Sequence, residues 1–514
     1  MHDDSPTTIA RDTYSPALSR HPKKDINALP TELLLIIFKI VYQLHRSPFP
    51  DSETPQPGVT GPVVYESQWS TADMLCPALF PFSIASVCRS WQDIMSMVPV
   101  FWMRLLILID SQPTPLSLVK SYLEWSRDLP LNIFVTRRRT DQDLNDPHEK
   151  ARVDAVLRLL LPHLHRFTGL RINVMRRSSL PSLRRTFRGD ALNLQILKLN
   201  CEFDDDVDAV WDTDPEWRFS APILKEITLD GGNFRDMCAG GSRWHGMYQC
   251  VLRELTILHY TPTALHKALR LNDIFEYLGS ITRPLASLVL KDLTIQLDEH
   301  APIRDDFDVG LDSMTLESLQ GNAVHAIVPA GNAYDLTITR CRLESIHLAE
   351  DASRLSLRDI SAEWNLRDTL VDWEGTDLTV DECAGFDDRF LAAMANGGLH
   401  NKEFMCRTLV YLDIFGCNVS PAALKRMVKS RLDASKKEVQ WENIVDTDNM
   451  AFTTVAPILG IYVYGGGPLL PEDEQWFEDH LWSFFWSRNP SEQTSDKVLD
   501  PNTYYHSDDT IIYF

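Results

Sequence analysis

The side chains best suited to chemistry in this sequence are its thiols, imidazoles and carboxylates, and their spacing assigns no reaction to any of them. Cys238, His245 and Cys250 come nearest to a metal set. Structural zinc sites use four ligands at short, regular intervals; here a fourth ligand is missing and the intervals match no such pattern. The nine cysteines form no C-x-x-C pair. Gly465-Gly466-Gly467 lacks the Lys and Ser/Thr that follow the glycines of a phosphate-binding loop, so it reads as a turn. No G-x-S-x-G, H-E-x-x-H or G-x-G-x-x-G occurs. Adjacent carboxylates such as Asp204-Asp205 carry no acid–base signal in a chain with 72 acidic residues, and a solvated turn is expected there. The expectation is a protein that is not an enzyme and that needs no metal or cofactor.

What remains is binding. Arg166, Arg171, Arg176, Arg177, Arg184, Arg185 and Arg188 make a local basic patch, with a shorter run at Arg137-Arg138-Arg139. Arginine forks pair with carboxylate or phosphate, so the patch suits an acidic partner segment, against the plainer reading of a solvated loop. The chain as a whole carries a formal charge of −22, which repels phosphate backbones and anionic membranes. Neither nucleic acid nor membrane is expected as a partner. The odd, scattered cysteines and the polar first 26 residues, which have no apolar core of a secretory signal, point to reduced thiols in cytoplasm or nucleus.

The elements that must position a binding surface fall into two textures. Residues 1–26 are polar and expected to be disordered. A first helix is expected from Leu29-Pro30, since proline is tolerated at a helix start and Glu32 suits its positive end. Leu29, Leu33, Ile36, Ile37, Ile40, Val41 and Leu44 follow at three- and four-residue steps. Five prolines between 48 and 62 mark the stretch 45–67 as a loop. A second helix is expected over about Ser83–Val98, and a short third one after Pro99 with Phe101, Trp102 and Leu105. Residues 27–107 thus make a small three-helix module.

From residue 113 helical patterns alternate with short strands, first around Leu131, Ile133 and Val135, then Leu170 and Ile172. A loose L-x-x-L-x-L phrase then returns nine times, from Leu194-Leu197-Leu199 through Leu224-Ile227-Leu229 and Leu336-Ile338 to Leu409-Leu412-Ile414. Its steps run from 19 residues (Ile338 to Leu357) to 34 (Val380 to Ile414). Cys341, Cys383 and Cys417 each fall three residues after the last apolar position of their phrase. Such units cannot cover their own apolar side and must stack. Beyond 465, Trp476, Phe477, Leu481, Trp482, Phe485 and Trp486 read as an aromatic helical stripe closing the array, followed by an acidic tail to 514.

Two resemblances follow from these residues. Leu29-Pro30-Thr31-Glu32-Leu33-Leu34 with Ile37-Phe38 resembles the first half of an F-box, and Val87-Cys88-Arg89-Ser90-Trp91 with Val98-Pro99 and Phe101-Trp102 resembles its second half. The stretch 113–465 resembles a leucine-rich-repeat array, whose units take Asn or Cys where Cys341, Cys383 and Cys417 stand. The fold class expected is α/β: an F-box-like three-helix module with a Pro-rich insert, then a leucine-rich-repeat-like solenoid with a curved parallel sheet. F-box proteins are substrate receptors of Skp–cullin–F-box ubiquitin ligases. The resemblance therefore implies a Skp-type adaptor, a cullin–RING ligase reached through it, and an unidentified protein target.

Carried over residue by residue, Leu29, Pro30, Leu33, Leu34, Ile37, Phe38, Val87, Cys88 and Trp91 would meet the adaptor. Target contacts are expected on the strand residues between apolar positions, among them Lys225, Glu226, Arg253, Glu254, Arg354, Arg358, Asp381, Tyr411 and Asp413. The alternative is an interaction scaffold with a degenerate F-box, unconnected to ubiquitin ligation.

Overall fold

A computed structural model describes residues 26, 29–44, 76, 79–138, 146–205, 219–238, 251–262, 268–281, 284–297, 310–320, 322–343, 348, 352–395, 404–439 and 455–489. The expected N-terminal tail, the Pro-rich insert, His245, Cys250, Arg139 and the acidic tail beyond 489 lie outside these residues. The chain divides into two compact units, Met1–Trp102 and Met103–Phe514.

In the first unit, helix α1 spans Thr31–Leu44. The Pro30 carbonyl accepts from the amides of Leu33 and Leu34 at 3.0 and 3.2 Å, so the proline opens the helix without a missing donor inside it. The single helix expected over Ser83–Val98 is two: α2, Phe82–Ala85, and α3, Arg89–Ser96. Ser86 Oγ donates back to the Ser83 carbonyl at 2.8 Å, a side-chain bond that competes with helix continuation. Cys88 is then extended (φ −161°, ψ 165°), and its carbonyl accepts the first bond of α3 from Gln92 at 3.1 Å. A 3-10 turn follows at Pro99–Trp102. Aromatic rings hold these pieces together: Phe38 lies 5.0 Å from Trp91, Tyr42 5.4 Å from Phe80, and Phe80 5.0 Å from Phe101. Trp102 Nε1 donates to the Met95 carbonyl at 3.0 Å.

The second unit is α/β with a 14-stranded sheet in chain order. Its strands are β1 Arg104–Leu108, β2 Leu131–Thr136, β3 Phe167–Arg176, β4 Ile196–Phe203, β5 Glu226–Asp230, β6 Glu254–Tyr260 and β7 Ser287–Leu293. They continue as β8 Leu311–Glu317, β9 Ala333–Thr339, β10 Arg354–Arg358, β11 Asp377–Asp381, β12 Tyr411–Phe415, β13 Gly460–Tyr464 and β14 Ser483–Ser487. Every neighbouring pair is parallel. Parallel pairing needs a crossover, and many of the intervening segments supply a helix, such as Leu116–Trp125, Glu149–Leu160 and Pro421–Val439.

The register follows the apolar phrase. Leu170 pairs with Leu197, Leu336 with Leu355, Leu355 with Leu378 and Leu378 with Leu412, while Ile338, Leu357, Val380 and Ile414 pair one position pair further on. These residues are buried, and the residues between them are half-buried or exposed. One face of the sheet is thus packed and the other polar, unlike a doubly wound sheet covered on both sides. Stacked repeats of a solenoid-like fold are compatible with this arrangement.

Two hydrogen-bond ladders explain why the phrase repeats in phase. The Cys341, Cys383 and Cys417 thiols donate to the carbonyls of Leu316, Leu357 and Val380 at 3.4, 3.4 and 3.9 Å, each one strand back. Burial pushes the Cys341 and Cys383 thiols up to about 11 and Cys417 up to about 12, which makes them poor nucleophiles. At the same point of every strand from β6 to β13, two residues after the last apolar position, the backbone has positive φ: His259, Asp292, Ser318, Arg340, Asp359, Glu382, Gly416 and Gly465. From Ser318 to Gly416 the amide of this residue donates to a carbonyl of the next strand at 2.8–3.0 Å. The left-handed turn costs roughly 1–2 kcal/mol at each non-glycine position, and the ladder bond offsets it.

Two expectations are corrected here. Leu105, placed in the third helix, lies in β1, paired with Ile133. The aromatic stripe is not one helix: Trp476 and Phe477 belong to the helix Pro471–His480, whereas Phe485 and Trp486 belong to β14, parallel to β13.

Candidate functional site

Helix α1 is polar along one narrow side, at Glu32, Lys39 and Gln43, and the two parts of its broad apolar side have different fates. Leu34 and Phe38 are buried, with Phe38 against Trp91. Leu33, Ile36, Ile37, Ile40 and Leu44, at i, i+3, i+4, i+7 and i+11, stay between 37 and 69% exposed. Val87 is also exposed, Pro30 is exposed, and Leu29, Cys88 and Trp91 are half-buried. The adaptor set named from the sequence is therefore divided. Leu34 and Phe38 are core side chains, because one side of a helix packed on α3 must face inward, and they are corrected out of the contact face. Ile36, Ile40 and Leu44 are exposed beside Leu33 and Ile37 instead. Apolar helix positions normally face a core, and this exposed stripe departs from that rule.

On the second unit, the polar face of the sheet is a grid. Its central row, read across the strands from β5, runs Thr228, Thr256, Val289, Thr315, Thr337, Ser356, Thr379, Asp413, Tyr462 and Phe485. Around β4–β10 the flanking charges pair with one another. Lys198 meets Glu226 at 3.0 Å, Lys291 meets Glu317 at 3.0 Å, and Arg354 stands 3.9 Å from Asp335 and 5.6 Å above the Tyr334 ring. Lys225 Nζ donates to Gln195 Oε1 at 2.8 Å. Every residue expected to touch a target (Lys225, Glu226, Arg253, Glu254, Arg354, Arg358, Asp381, Tyr411, Asp413) is exposed or half-buried, in or at the start of these strands.

The last strands differ. Tyr411 and Phe415 flank Asp413 along β12, Tyr462 and Tyr464 lie on β13, and Phe485 on β14. Phe415 and Tyr464 stack at 4.5 Å with rings nearly parallel, and Tyr464 is 5.1 Å from Phe485. Burial, with the nearby Asp377 charge adding to it, pushes the Asp413 carboxyl up to about 6, while Thr379 Oγ1, 3.5 Å away, opposes this. The sequence pattern located Tyr411 and Asp413 but missed Phe415, Tyr462, Tyr464 and Phe485. The phase of the apolar phrase, continued through Ile461-Val463 and Phe484-Trp486, would have found all four, since Phe415 and Tyr464 both follow the last apolar position of their strands.

Three of the seven patch arginines, Arg166, Arg171 and Arg177, are engaged within the fold, whereas Arg185 and Arg188 are exposed. Arg166 is buried, with Nη2 donating to Ser126 Oγ at 2.7 Å and Nε to the Leu129 carbonyl at 3.0 Å. Arg171 lies 4.8 Å over Phe134 and donates to Asn132 Oδ1 at 2.8 Å. Arg177 is buried against Asp204, Nε to Oδ1 at 2.6 Å, and Asp204 also accepts from the Thr261 amide at 2.6 Å. Asp205 accepts from the Ser178 amide at 3.0 Å. Asp204-Asp205 is thus a tie between strand ends, not a solvated turn.

A groove of about 360 Å³ at the C-terminal ends of β4 and β6–β8 gathers Glu202, Asp204, His259 and Asp292 with Thr261 and Ser318. Its His259 Nδ1 lies 3.0 Å from Asp292 Oδ2. Among the described residues no group of three or more His, Cys, Asp or Glu side chains is placed to hold a metal ion, and no helix is long and apolar enough to cross a membrane. No protein-family model matches this sequence, and no curated protein matches it.

Proposed function

We propose that this chain is a non-catalytic substrate receptor of the Skp–cullin–F-box type. The first unit acts as the F-box, docking a Skp-type adaptor through α1. The second acts as a leucine-rich-repeat-like array whose polar sheet face holds a protein target for ubiquitin transfer. The observation that carries the reading is the exposed stripe Leu33, Ile36, Ile37, Ile40 and Leu44 on a helix already packed on its other side. Covering each of these side chains contributes on the order of 1 kcal/mol, which is enough for an amphipathic helix to seat in a partner groove. The motif resemblance names the partner, and the in-phase stacking of strands and thiols supports the repeat reading.

Affinity capture of the full chain co-expressed with a Skp-type adaptor tests this. The adaptor is expected to stay with the wild type through gel filtration and to be lost from the Leu33→Asp, Ile37→Asp double variant. Phe38 is left intact, since it is buried against Trp91 and its loss would destabilise the module. A wild type that never retains the adaptor would return the chain to the scaffold reading, with a helical module that binds something else.

A further inference from the structure

The polar face of the sheet changes character abruptly at β12, and the change specifies a ligand. Upstream, acidic and basic residues alternate from strand to strand: Asp335, Arg354 and Asp377 occupy one row, and Glu317, Thr339, Arg358 and Asp381 another. From β12 to β14 the strands read Tyr-Leu-Asp-Ile-Phe, Gly-Ile-Tyr-Val-Tyr and Ser-Phe-Phe-Trp-Ser, without a lysine or arginine. Asp413 sits in this region with Thr379 on one side and Tyr462 on the other in its row. Among the described residues no cation pairs with it, and the charged side chain that acts on it is another carboxylate, Asp377.

A half-buried carboxylate at the centre of aromatic rings is poorly solvated and poorly neutralised. The π faces of Tyr and Phe carry negative potential, so rings and carboxylate together attract a positive charge. The rings are also held in place. Phe415, Tyr464 and Phe485 contact one another in sequence, and Gly460 lets the Tyr411 ring and Ser483 approach, since an added Cβ would lie 2.6 Å from each. Burial and the Asp413 charge raise the Tyr464 hydroxyl, which places that ring within electrostatic reach of the carboxylate. Rings already ordered lose little freedom on binding.

We propose that Asp413 and the surrounding Tyr411, Phe415, Tyr462, Tyr464 and Phe485 form a cation subsite that takes one lysine or arginine side chain of a protein target. The target thus presents a basic residue to the C-terminal end of the sheet face. The proposal deepens the receptor reading and rests on its assignment of that face to the target. The guanidinium or ammonium lies between ring faces and pairs with the carboxylate, supplying the cation that the upstream strands supply to their own acidic residues.

The test uses the full chain and three fluorescent peptides of Gly and Ser that differ only at one central residue: arginine, lysine or citrulline, the neutral isostere of arginine. Fluorescence anisotropy is expected to show at least tenfold tighter binding of the arginine and lysine peptides than of the citrulline peptide. Asp413→Asn should erase that preference with an unchanged far-UV spectrum. Phe485→Leu, which keeps the carboxylate and the fold, should reduce the preference several-fold. Equal binding of the three peptides by wild type, absence of binding by all three, or a preference that survives Asp413→Asn would each overturn the subsite. Adaptor retention by the same preparation is read separately. A chain that keeps the adaptor but ignores charge refutes the subsite alone, whereas one that discriminates charge but loses the adaptor refutes the ligase assignment alone.

Discussion

The two units dispose of the same kind of residue in opposite ways. In the large unit, Leu, Ile and Val at alternate strand positions are turned inward in register, and what faces out is hydroxyl, charge or aromatic ring. In the small unit α1 turns Leu34 and Phe38 inward and leaves five other Leu and Ile side chains half out. The strands cover one another's apolar side chains, whereas the helix leaves part of its apolar side uncovered, and the proposed adaptor would cover it. Stability and binding should therefore be separable, and the strands and the helix should respond to substitution in different currencies.

The sharpest contrast lies within α1. Phe38→Ala should cost roughly 3–5 kcal/mol of first-unit stability in denaturant unfolding, while changes on the outward stripe should leave that transition within about 0.5 kcal/mol. In the sheet, a cost of similar size falls on a polar residue. Arg431 is fully buried on the helix Pro421–Val439, and its guanidinium donates to the carbonyls of Met405, Cys406, Arg407, Leu409 and Ala456 at 2.8–3.4 Å. Burial pushes it down to about 10. Arg431→Met removes a donor from all five at once, although the Cys406 and Arg407 carbonyls still accept the Leu409 and Ala456 amides, and should lower second-unit stability by roughly 3–5 kcal/mol in the same assay. Cys383→Val, which removes one ladder donor while keeping volume, should cost about 1–3 kcal/mol.

Smaller effects probe the polar face. The Asp230 and Asp413 carboxyls are both raised to about 6, with burial the main cause for each. Their ordinary unfolded value is about 3.9. The folded state therefore binds these protons more tightly, so their contribution is most favourable below about pH 4, declines as pH rises toward 6, and is flat above. Asp413→Asn should accordingly raise the melting temperature relative to wild type at pH 7.5, with the difference vanishing near pH 4; a difference that grows toward acid would contradict the burial of this group. Smallest of all, Glu382→Gly relieves one left-handed residue of the strand-end ladder and should stabilise by less than about 1 kcal/mol in thermal unfolding.

Much of the large unit was legible because its signal is periodic. The L-x-x-L-x-L phase matches the observed register strand by strand, and the three cysteines mark the same point of three repeats. Its ends were less legible. Ile461-Val463 and Phe484-Trp486 hold the same phase without leucine, and no Gly or Pro separates the helix ending at His480 from β14, so Trp482, Phe485 and Trp486 imitate a helical stripe. In α1 the difficulty is the reverse. Its apolar positions span all but the side of Glu32, Lys39 and Gln43, so periodicity cannot say which of them face inward, and Leu33 and Ile37 group with Leu34 and Phe38. Arg166 and Arg177 looked like part of a surface because their partners Ser126 and Asp204 lie 40 and 27 residues away in sequence.

Calorimetric titration of a purified Skp-type adaptor into the full chain tests the separation of binding from folding most directly. The account predicts saturable one-to-one binding by wild type and at least a hundredfold weaker binding by the Leu33→Asp, Ile37→Asp variant, with unchanged unfolding. Equal heats and affinities for the two proteins would contradict it.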